Sequence, residues 1–355
     1  MKEYIAFDTH KYYTLAERES VETAQRQQYR IEHERGAIRK FLEDAEPGTP
    51  VAVESSGNWY WIVAEIEAAG CRPALVHARK SKMMIGCVNK TDKLDVHGLN
   101  ILQRTRTLPT VWIPSAEVRD LRDLPRTRMF LVQHRSRLKC RIQSHLTQYA
   151  LNVTGFSDPF GVGARRQMEK NLTELPPYTR AMLEELLRQH DFVDGQCVRA
   201  EKEIARLVKV TPAMQRLMTM PGIGQILAVV IALEVGDIRR FASAERLASY
   251  AGTTPRVHSS GDKTRYGPLR QDVNRYLKWA FLEAANCVSL ARRNHPYRHA
   301  SRLYERIARR KGHQKAIGAV GRHLAEAAFY VLSKQEDYRE PTTVRSNGGV
   351  SAVPI

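Results

Sequence analysis

Two short apolar runs, each ending at a carboxylate, constrain the fold of this chain more than any other feature. The first run covers residues 4–7 and ends at Asp8, and the second covers residues 50–53 and ends at Glu54. Such runs are typical of strands buried on both faces, in a sheet covered by helices. The carboxyl ends of these strands form a crevice for ligands. Because an unpaired buried carboxylate is costly, the pattern predicts an α/β domain with an acidic site at one edge of its sheet.

Residues 1–113 are predicted to form this α/β domain. Besides the two runs, strands are expected at residues 12–16, 28–32 and 72–78, and helices at 37–45 and 58–69.

Long helices follow. Leucines at rough heptad spacing between Leu121 and Leu146, and a second helix at 178–210, predict a helical, coiled-coil arm over residues 114–210. Pro125 is expected to break or kink the first of these helices. Residues 211–335 are predicted to form a mainly α-helical domain, and the polar residues 336–355 a disordered tail.

The charge of the chain points to a polyanionic partner. It has 56 Lys+Arg against 38 Asp+Glu, a net charge of +18, which attracts nucleic acid first of all. One stretch without an acid, residues 124–141, contains Arg126, Arg128 and Arg135, and residues 292–315 form a second basic stretch. No apolar run approaches the roughly 20 residues of a membrane span. No signal-peptide pattern is present and the five cysteines form no CxxC pair, so we expect a cytoplasmic protein. Its basic charge favours association with the nucleoid.

A second pair of carboxylates, Asp92 and Asp95, lies three residues apart where a helix is expected to begin, so both would share one helix face. Together with Asp8 and Glu54 they offer four hard oxygen ligands, which suit Mg²⁺ or Mn²⁺. Two such ions about 4 Å apart can clamp a phosphodiester displacement. Taken singly, Asp92 is also a candidate helix N-cap, Asp95 an exposed i,i+3 partner, and the strand-end acids turn residues.

Two glycine-containing segments in the second half suggest further contacts. Residues 250–263 are rich in turn-formers and predict a loop, followed by a helix at about 271–288. On composition alone, Ser260 in this loop is a turn residue. The turn at residues 221–224 is either a simple helix-joining turn or a helix-hairpin-helix element, in which Gly222 and Gly224 bring backbone N–H groups to DNA phosphates.

Several motifs together resemble the DEDD transposases of the insertion-sequence one-ten family, which also includes the Piv-type DNA invertases. Asp8 lies in IAFDTHK, Glu54 in VAVESSGNWYW, and Asp92 and Asp95 in NKTDKLDVHGL. The resemblance implies an RNase H-like (RuvC-like) fold for residues 1–113, with the four acids binding Mg²⁺ or Mn²⁺. This would be the catalytic domain.

The run YAGTTPRVHSSGDKTRYGPLRQDVNRYLKWAFLEAA resembles the signature of the second, transposase domain of that family. The resemblance implies that Ser260 is a nucleophile forming a phosphoserine–DNA link, with Ser259 as the adjacent alternative. Asp262 stands where the family frequently has a second glycine. The basic residues around the serine are expected to steady a phosphate as charge-assisted donors; they are Arg256, Lys263 and Arg265.

The resemblance also implies partners: the DNA of the element ends and target, a guide (bridge) RNA, and a homo-oligomer, either a dimer or a dimer of dimers. A composite site, with the acids and the serine supplied by different protomers, follows from the same resemblance.

Other functions remain open at this stage. Within the family, transposition and Piv-like site-specific inversion are alternatives. A metal-dependent nuclease of the Holliday-junction type suits the four acids but has no need of Ser260. A sugar kinase or actin-like ATPase would need a glycine-rich phosphate loop, which residues 8–11 lack. A DNA-binding protein without enzymatic activity would leave the four acids unexplained.

Overall fold

The computed structural model describes residues 3–86, 91–261 and 263–341. The chain forms two compact units, divided between residues 116 and 117. In the first unit, five strands form one mixed sheet in the order β3-β2-β1-β4-β5. β1 and β2, and β2 and β3, pair antiparallel, whereas β4 runs parallel to both β1 and β5. The strands are β1 (Glu3–Thr9), β2 (Tyr13–Ser20), β3 (Arg26–Glu32), β4 (Pro50–Glu54) and β5 (Arg72–Val76).

Helices cover both faces of this sheet. Ile5, Phe7, Val51 and Val53 pack on one face with apolar residues of the first two helices. On the opposite face, Ala6 and Ala52 pack with Val96 and Leu99 of the fourth helix. The helices are α1 (Ala37–Phe41), α2 (Trp59–Ala68), α3 (Ala78–Ile85) and α4 (Asp92–Arg104). The predicted α/β character of the N-terminal part is confirmed, and the two strands with continuous apolar runs, β1 and β4, are buried on both faces.

The second unit is mainly helical, as predicted. Its largest core joins residues from Ile204 to Val331. Its elements are α5 (Ala116–Gln148), α6 (Val162–Leu172), α7 (Pro177–Leu207), α8 (Pro212–Met218), α9 (Gln225–Val235), a short 3₁₀ helix (Ile238–Arg240), α10 (Ala244–Tyr250), β6 (Pro255–Ser260), β7 (Lys263–Leu269), α11 (Arg275–Ala291), α12 (His299–Lys311) and α13 (His313–Lys334). Within the described ranges, no helix combines the length and apolar character needed to cross a membrane.

Of the two expectations for Pro125, a break or a kink, the break is wrong, because α5 continues through Pro125 to Gln148. A proline inside a helix costs about 3 kcal/mol, and tertiary contacts in the turn before Pro125 oppose that cost. Leu121 and Leu124 pack against the C-terminal core. The guanidinium of Arg122 donates to the carbonyl oxygen of Leu233 at 2.6 and 2.9 Å. The contacts of α5 with the C-terminal core and with Leu233 therefore keep this segment helical despite the proline.

The predicted loop at residues 250–263 is also wrong in part, since β6 and β7 form an antiparallel hairpin there. A strand is usually recognised by apolar residues that alternate with polar ones. This hairpin lacks that alternation, because the side chains on both of its faces are polar or exposed. Gly261 has a φ of 57°, which suits a two-residue hairpin turn. The following helix begins at Arg275 instead of residue 271, because the Asn274 side chain accepts hydrogen bonds from the first backbone N–H groups of α11.

Part of the predicted tail lies outside the described residues, namely 342–355. Residues 336–341 are described and form neither helix nor strand. They contact the helical unit: the backbone N–H of Tyr338 donates to the Thr219 hydroxyl at 2.8 Å.

Candidate carboxylate centre and serine hairpin

The parallel pairing of β1 and β4 brings the two strand-end acids together. Phe7 lies opposite Val53 in the register, so Asp8 and Glu54 follow side by side. Because side chains alternate along a strand, Asp8 shares a face with Ala6, and Glu54 with Ala52. The two alanines form the surface on which α4 packs, and their small size allows that helix to lie close to the acids.

α4 delivers the second pair of acids from its first turn. The Thr91 side chain accepts from the backbone N–H of Leu94 at 3.3 Å and is the N-cap, so the alternative that Asp92 caps the helix is wrong. Gly98 lets α4 approach α3, since a Cβ there would meet the Ile85 side chain at 2.7 Å. Acidic side chains in the first turn are also stabilised by the positive end of the helix dipole. The local sequence thus fixes both where α4 begins and how closely it packs.

Two of the four acids meet around a histidine. His10 Nε2 lies 3.4 Å from an Asp8 oxygen and 3.3 Å from an Asp92 oxygen. These three residues can each offer one ligand atom within 4.8 Å of the others. The Tyr13 hydroxyl donates to Asp92 at 3.3 Å, and its ring stacks on His10. Asp95 is half-buried on α4 and does not belong to this group of described residues.

Glu54 is coupled to Asp8 and also faces a cation. The pKa of Asp8 is raised to about 6: burial is the largest cause, nearby His10 lowers the pKa, and the carboxylates of Glu54 and Asp92 raise it. The Lys82 ammonium lies 3.7 Å from a Glu54 oxygen. A buried carboxylate beside other carboxylates gains most from a cation that neutralises them together.

The donor set fits a divalent ion. Asp8 is 6% exposed, and its pKa is raised by that burial and by the neighbouring carboxylates, so ionisation of Asp8 is favoured by any nearby positive charge. Carboxylate oxygens are the ligands that Mg²⁺ and Mn²⁺ prefer. Asp8, Glu54 and Asp92 would hold the ion. The role of Asp95 stays a prediction.

His10 was not identified as a site residue from the sequence, although it stands only two residues after Asp8. A network around it ties the two strand-end turns together. The Asn58 side-chain amide donates to the His10 backbone carbonyl oxygen at 2.8 Å, and the Ser56 hydroxyl donates to the Asn58 side-chain oxygen Oδ1 at 2.6 Å. Thr9 and Ser56 share a further hydroxyl contact. The histidine following a strand-end acid was the available signal.

A second polar cluster lies under the middle of α4. Glu17 and Glu19 of β2 are each 2% exposed, and with His97 they form another group of closely spaced ligand atoms. Burial opposes ionisation of Glu17, but hydrogen bonds from Gln28, His97 and Asn100 lower its pKa. Arg104 pairs with Glu19 at 2.6 Å. Since these carboxylates already have donors within the chain, the cluster serves to hold α4 on the sheet.

Ser260 lies at the tip of the β6–β7 hairpin, in the second unit. Directly opposed residues of an antiparallel pair point to the same face. Ser260 pairs with Lys263, and His258 with Arg265, so these four side chains share one exposed, basic face. We name it the serine face.

Ser259 belongs to the opposite face of the hairpin. It pairs with Thr264, and the two hydroxyl oxygens lie 3.3 Å apart. The next pair on that face is Val257 and Tyr266, which are 55% and 61% exposed. Arg256 is exposed beside the bulge at the base of the hairpin. The two candidate serines therefore face different surroundings, basic for Ser260 and partly apolar for Ser259.

Gly222 has a packing role that the sequence did not reveal. Its φ is 76°, and a Cβ there would lie 2.3 Å from the Ala284 carbonyl oxygen of α11. Gly224 is the N-cap of α9, with nothing described within 4 Å of its Cβ position. The turn therefore serves tertiary packing at Gly222, and contact with DNA at either glycine stays a prediction.

Gly222→Ala is expected to destabilise the protein by at least about 2 kcal/mol, because the added Cβ meets backbone and the positive φ disfavours alanine. Thermal unfolding measures this as a lower Tm. Gly224→Ala is the matched control and should cost no more than about 1 kcal/mol. Equal losses of stability in the two variants would contradict the packing argument.

The three arginines predicted to bind nucleic acid from α5 already have partners within the chain. Arg126 donates to both oxygens of the buried Glu234. Arg128 donates to Glu201 and Arg135 to Asp194, which join α5 to α7 in antiparallel fashion. Their binding to nucleic acid stays a prediction.

An arginine-lined cleft lies between the end of α11 and α12. Its volume is about 630 Å³. Glu305 is the acidic residue that lines it, and it pairs with Arg292 at 2.8 Å and approaches Arg309 at 3.9 Å. The lining arginines are Arg292, Arg293, Arg302, Arg306, Arg309 and Arg310. We name this feature the arginine cleft; it lies within the second basic stretch identified in the sequence.

Carboxylates gathered at the end of a mixed sheet, in a basic chain with a second helical unit, are typical of enzymes that act on phosphate-containing polymers. Comparison with known proteins specifies the class. Residues 214–302 match the sequence family described as "Transposase IS116/IS110/IS902 family", and residues 6–151 match a DEDD family of IS110 elements described as "Transposase".

Relatives extend the match along the chain. A Pseudomonas aeruginosa protein named "Probable family 20 transposase" is 25% identical over 309 residues, covering 86% of this chain and 90% of that protein. The "Transposase for insertion sequence element IS1111A" of Coxiella burnetii is 25% identical over 255 residues, covering 71% and 69%. A Streptomyces coelicolor protein, "Insertion element IS110 uncharacterized 43.6 kDa protein", is 34% identical over 133 residues, covering 37% and 32%. The chain belongs to the IS110 family of DEDD transposases, as its motifs indicated.

Proposed function

We propose that this transposase cuts and rejoins the DNA ends of its insertion sequence with a divalent metal at one site and a serine nucleophile at another. The observation that carries the proposal is the meeting of Asp8 with Glu54 and Asp92 at the end of the five-stranded mixed sheet, which we propose to be an RNase H-like (RuvC-like) sheet. Mg²⁺ or Mn²⁺ would be held by these acids together with Asp95.

The metal, when bound, supplies positive charge that stabilises the phosphate during displacement. The chain's own residues prepare the site for it. The alanines beneath α4 bring Asp92 close to the strand ends, and the buried setting of Asp8 keeps water from screening the charges. Asn58 fixes the turn that carries His10.

Ser260 would act as the nucleophile. Its Oγ forms a bond to phosphorus while the bond from phosphorus to the strand oxygen breaks. The serine gives up its proton and the leaving hydroxyl gains one, so the bond energy is kept in a phosphoserine–DNA link for rejoining. The serine face supports this assignment over Ser259, because Lys263 and Arg265 can donate to phosphate oxygens beside the attacking atom.

The arginine cleft is proposed to bind the phosphate backbone of nucleic acid. Arg302, Arg306 and Arg309 are exposed at helical spacing on α12. Each phosphate contact releases counterions and steepens the dependence of binding on salt.

Arg302→Gln with Arg306→Gln is expected to weaken binding of element-end DNA and to reduce the salt slope by about one per arginine. Titration by fluorescence anisotropy at several salt concentrations measures both quantities. Arg188→Gln, at an exposed arginine of α7 paired with Glu185, is the control. An unchanged slope in the double variant would show that the cleft makes no phosphate contact.

We further propose a guide RNA and a homo-oligomer. The long α5–α7 pair supports a coiled-coil arm that joins protomers, and the basic surface suits RNA held by shape and backbone. Nuclease-sensitive RNA should copurify with the protein. Activity of purified, RNA-free protein on DNA would contradict the proposal of a guide RNA. If protomers share sites, mixing an acid-site variant with a Ser260 variant should restore activity.

The test of the whole proposal is a plasmid carrying the gene with its native flanking DNA. PCR should detect a joined-end circle or an inserted product. Inversion of the flanking DNA without such products would instead indicate a Piv-like invertase. Cleavage without rejoining would indicate a nuclease of the Holliday-junction type.

A further inference from the structure

We propose that His10 is a direct ligand of the divalent ion held by the carboxylate centre. The inference rests on the proposed metal site and adds a nitrogen donor to it. The first reason is position. His10 Nε2 lies within 3.4 Å of both an Asp8 and an Asp92 oxygen, although Asp8 ends a strand and Asp92 begins a helix.

The second reason is spacing. Ligands at neighbouring positions of an octahedral shell with bonds of about 2.1 Å lie about 3 Å apart. The Nε2–oxygen separations of 3.4 and 3.3 Å are close to that value. The three atoms are thus separated as neighbouring ligands of one ion would be.

The third reason is that Nε2 has no hydrogen bond. The atom is buried, and no group among the described residues meets hydrogen-bond geometry with it, despite the two nearby carboxylates. A buried ring nitrogen without a hydrogen bond is costly. A cation between the nitrogen and the two carboxylates would satisfy all three.

The chain also fixes the ring where a ligand must be. The Tyr13 ring stacks on His10 with centroids 4.5 Å apart, and Asn58 holds the His10 backbone carbonyl. Supporting contacts of this kind are what orient metal-binding histidines. Imidazole is a softer donor than carboxylate, so its presence shifts the preference of the site from Mg²⁺ toward Mn²⁺.

Mn²⁺ bound to the full chain, observed by pulsed EPR, tests this directly. The wild-type spectrum should contain nitrogen modulation from a coordinated imidazole, and His10→Asn should lose it and bind Mn²⁺ at least about 10-fold more weakly. The Mn²⁺ to Mg²⁺ affinity ratio should fall in the same variant. His97→Asn, in the second polar cluster, and His33→Asn, whose ring contacts Thr14, should each keep the modulation.

The alternative outcomes separate this inference from the proposed function. Mn²⁺ that binds, is lost in Asp8→Ala and shows no nitrogen modulation would overturn the role of His10 while leaving the carboxylate site intact. Modulation that disappears in His97→Asn would place the ion at the second cluster and overturn the inference. Mn²⁺ binding that Asp8→Ala does not change would overturn the metal site itself, and the inference with it.

Discussion

Ser260→Ala is expected to lower the yield of joined or inserted DNA by at least about 10³-fold, because the variant has no oxygen to attack phosphorus. The covalent protein–DNA adduct, trapped by rapid denaturation, should disappear with it. Folding should be unaffected, since Ser260 is exposed at the end of a hairpin and surface substitutions typically change stability by less than about 0.5 kcal/mol.

Ser259→Ala is the matched control for this experiment. It removes a hydroxyl that is also exposed and one residue away, but on the other face of the hairpin, where it contacts Thr264. We expect it to retain most of the activity and all of the adduct. The reverse result, activity lost in Ser259→Ala and kept in Ser260→Ala, would move the nucleophile to the opposite face and refute the argument from strand register.

Asp8→Asn is expected to abolish DNA cleavage and, at the same time, to stabilise the metal-free protein at pH 7. Burial and the neighbouring acids raise the pKa of Asp8 from 3.8 to about 6 in the folded state. The folded chain therefore holds this proton more tightly than the unfolded chain, and stability falls as pH rises from about 4 to about 6. Replacing the carboxylate removes that cost, which is on the order of 1 to 3 kcal/mol.

Thermal unfolding with and without Mn²⁺ measures both halves of this prediction. Without metal, Asp8→Asn should have the higher Tm above pH 6, and the difference should vanish near pH 4. With metal, the wild type should gain stability in proportion to the logarithm of the ion concentration, and the variant should gain less. An Asp8→Asn protein that is both inactive and less stable at pH 7 would indicate a structural role instead.

The sequence was most informative where a residue type has few structural explanations. Apolar runs ending at Asp8 and Glu54 predicted buried strands with acids at one edge of the sheet. Both strands are buried, and both acids lie at that edge. The helix carrying Asp92 and Asp95 was also predicted, although its N-cap is Thr91 and not Asp92. Such predictions succeed because burial of a charge is rare without a reason.

Other features depend on contacts between residues far apart in the chain. Pro125 remains helical because Arg122 bonds to Leu233, 111 residues away. Gly222 is needed because a Cβ at this position would clash with Ala284 of α11. No local sequence pattern indicates that contact. The hairpin around Ser260 has no buried apolar face, because Val257 and Tyr266 are exposed, so its sequence lacks the pattern of a half-buried strand. His10 becomes a candidate site residue only when α4 places Asp92 beside it. Tertiary contacts of this kind cannot be inferred from local periodicity.

The position of Ser260 at the tip of its hairpin has a consequence for how a DNA strand is held. Among the described residues of the hairpin, the basic side chains lie either opposite the serine or toward the base, at Lys263, Arg265 and Arg256. A strand lying along them would be gripped on one side of the scissile phosphate only. The flank on the other side would be free to depart once the strand is cut, and a different flank could take its place. One-sided grip is what an exchange of DNA partners requires, whereas an enzyme that only degrades DNA has no need of it.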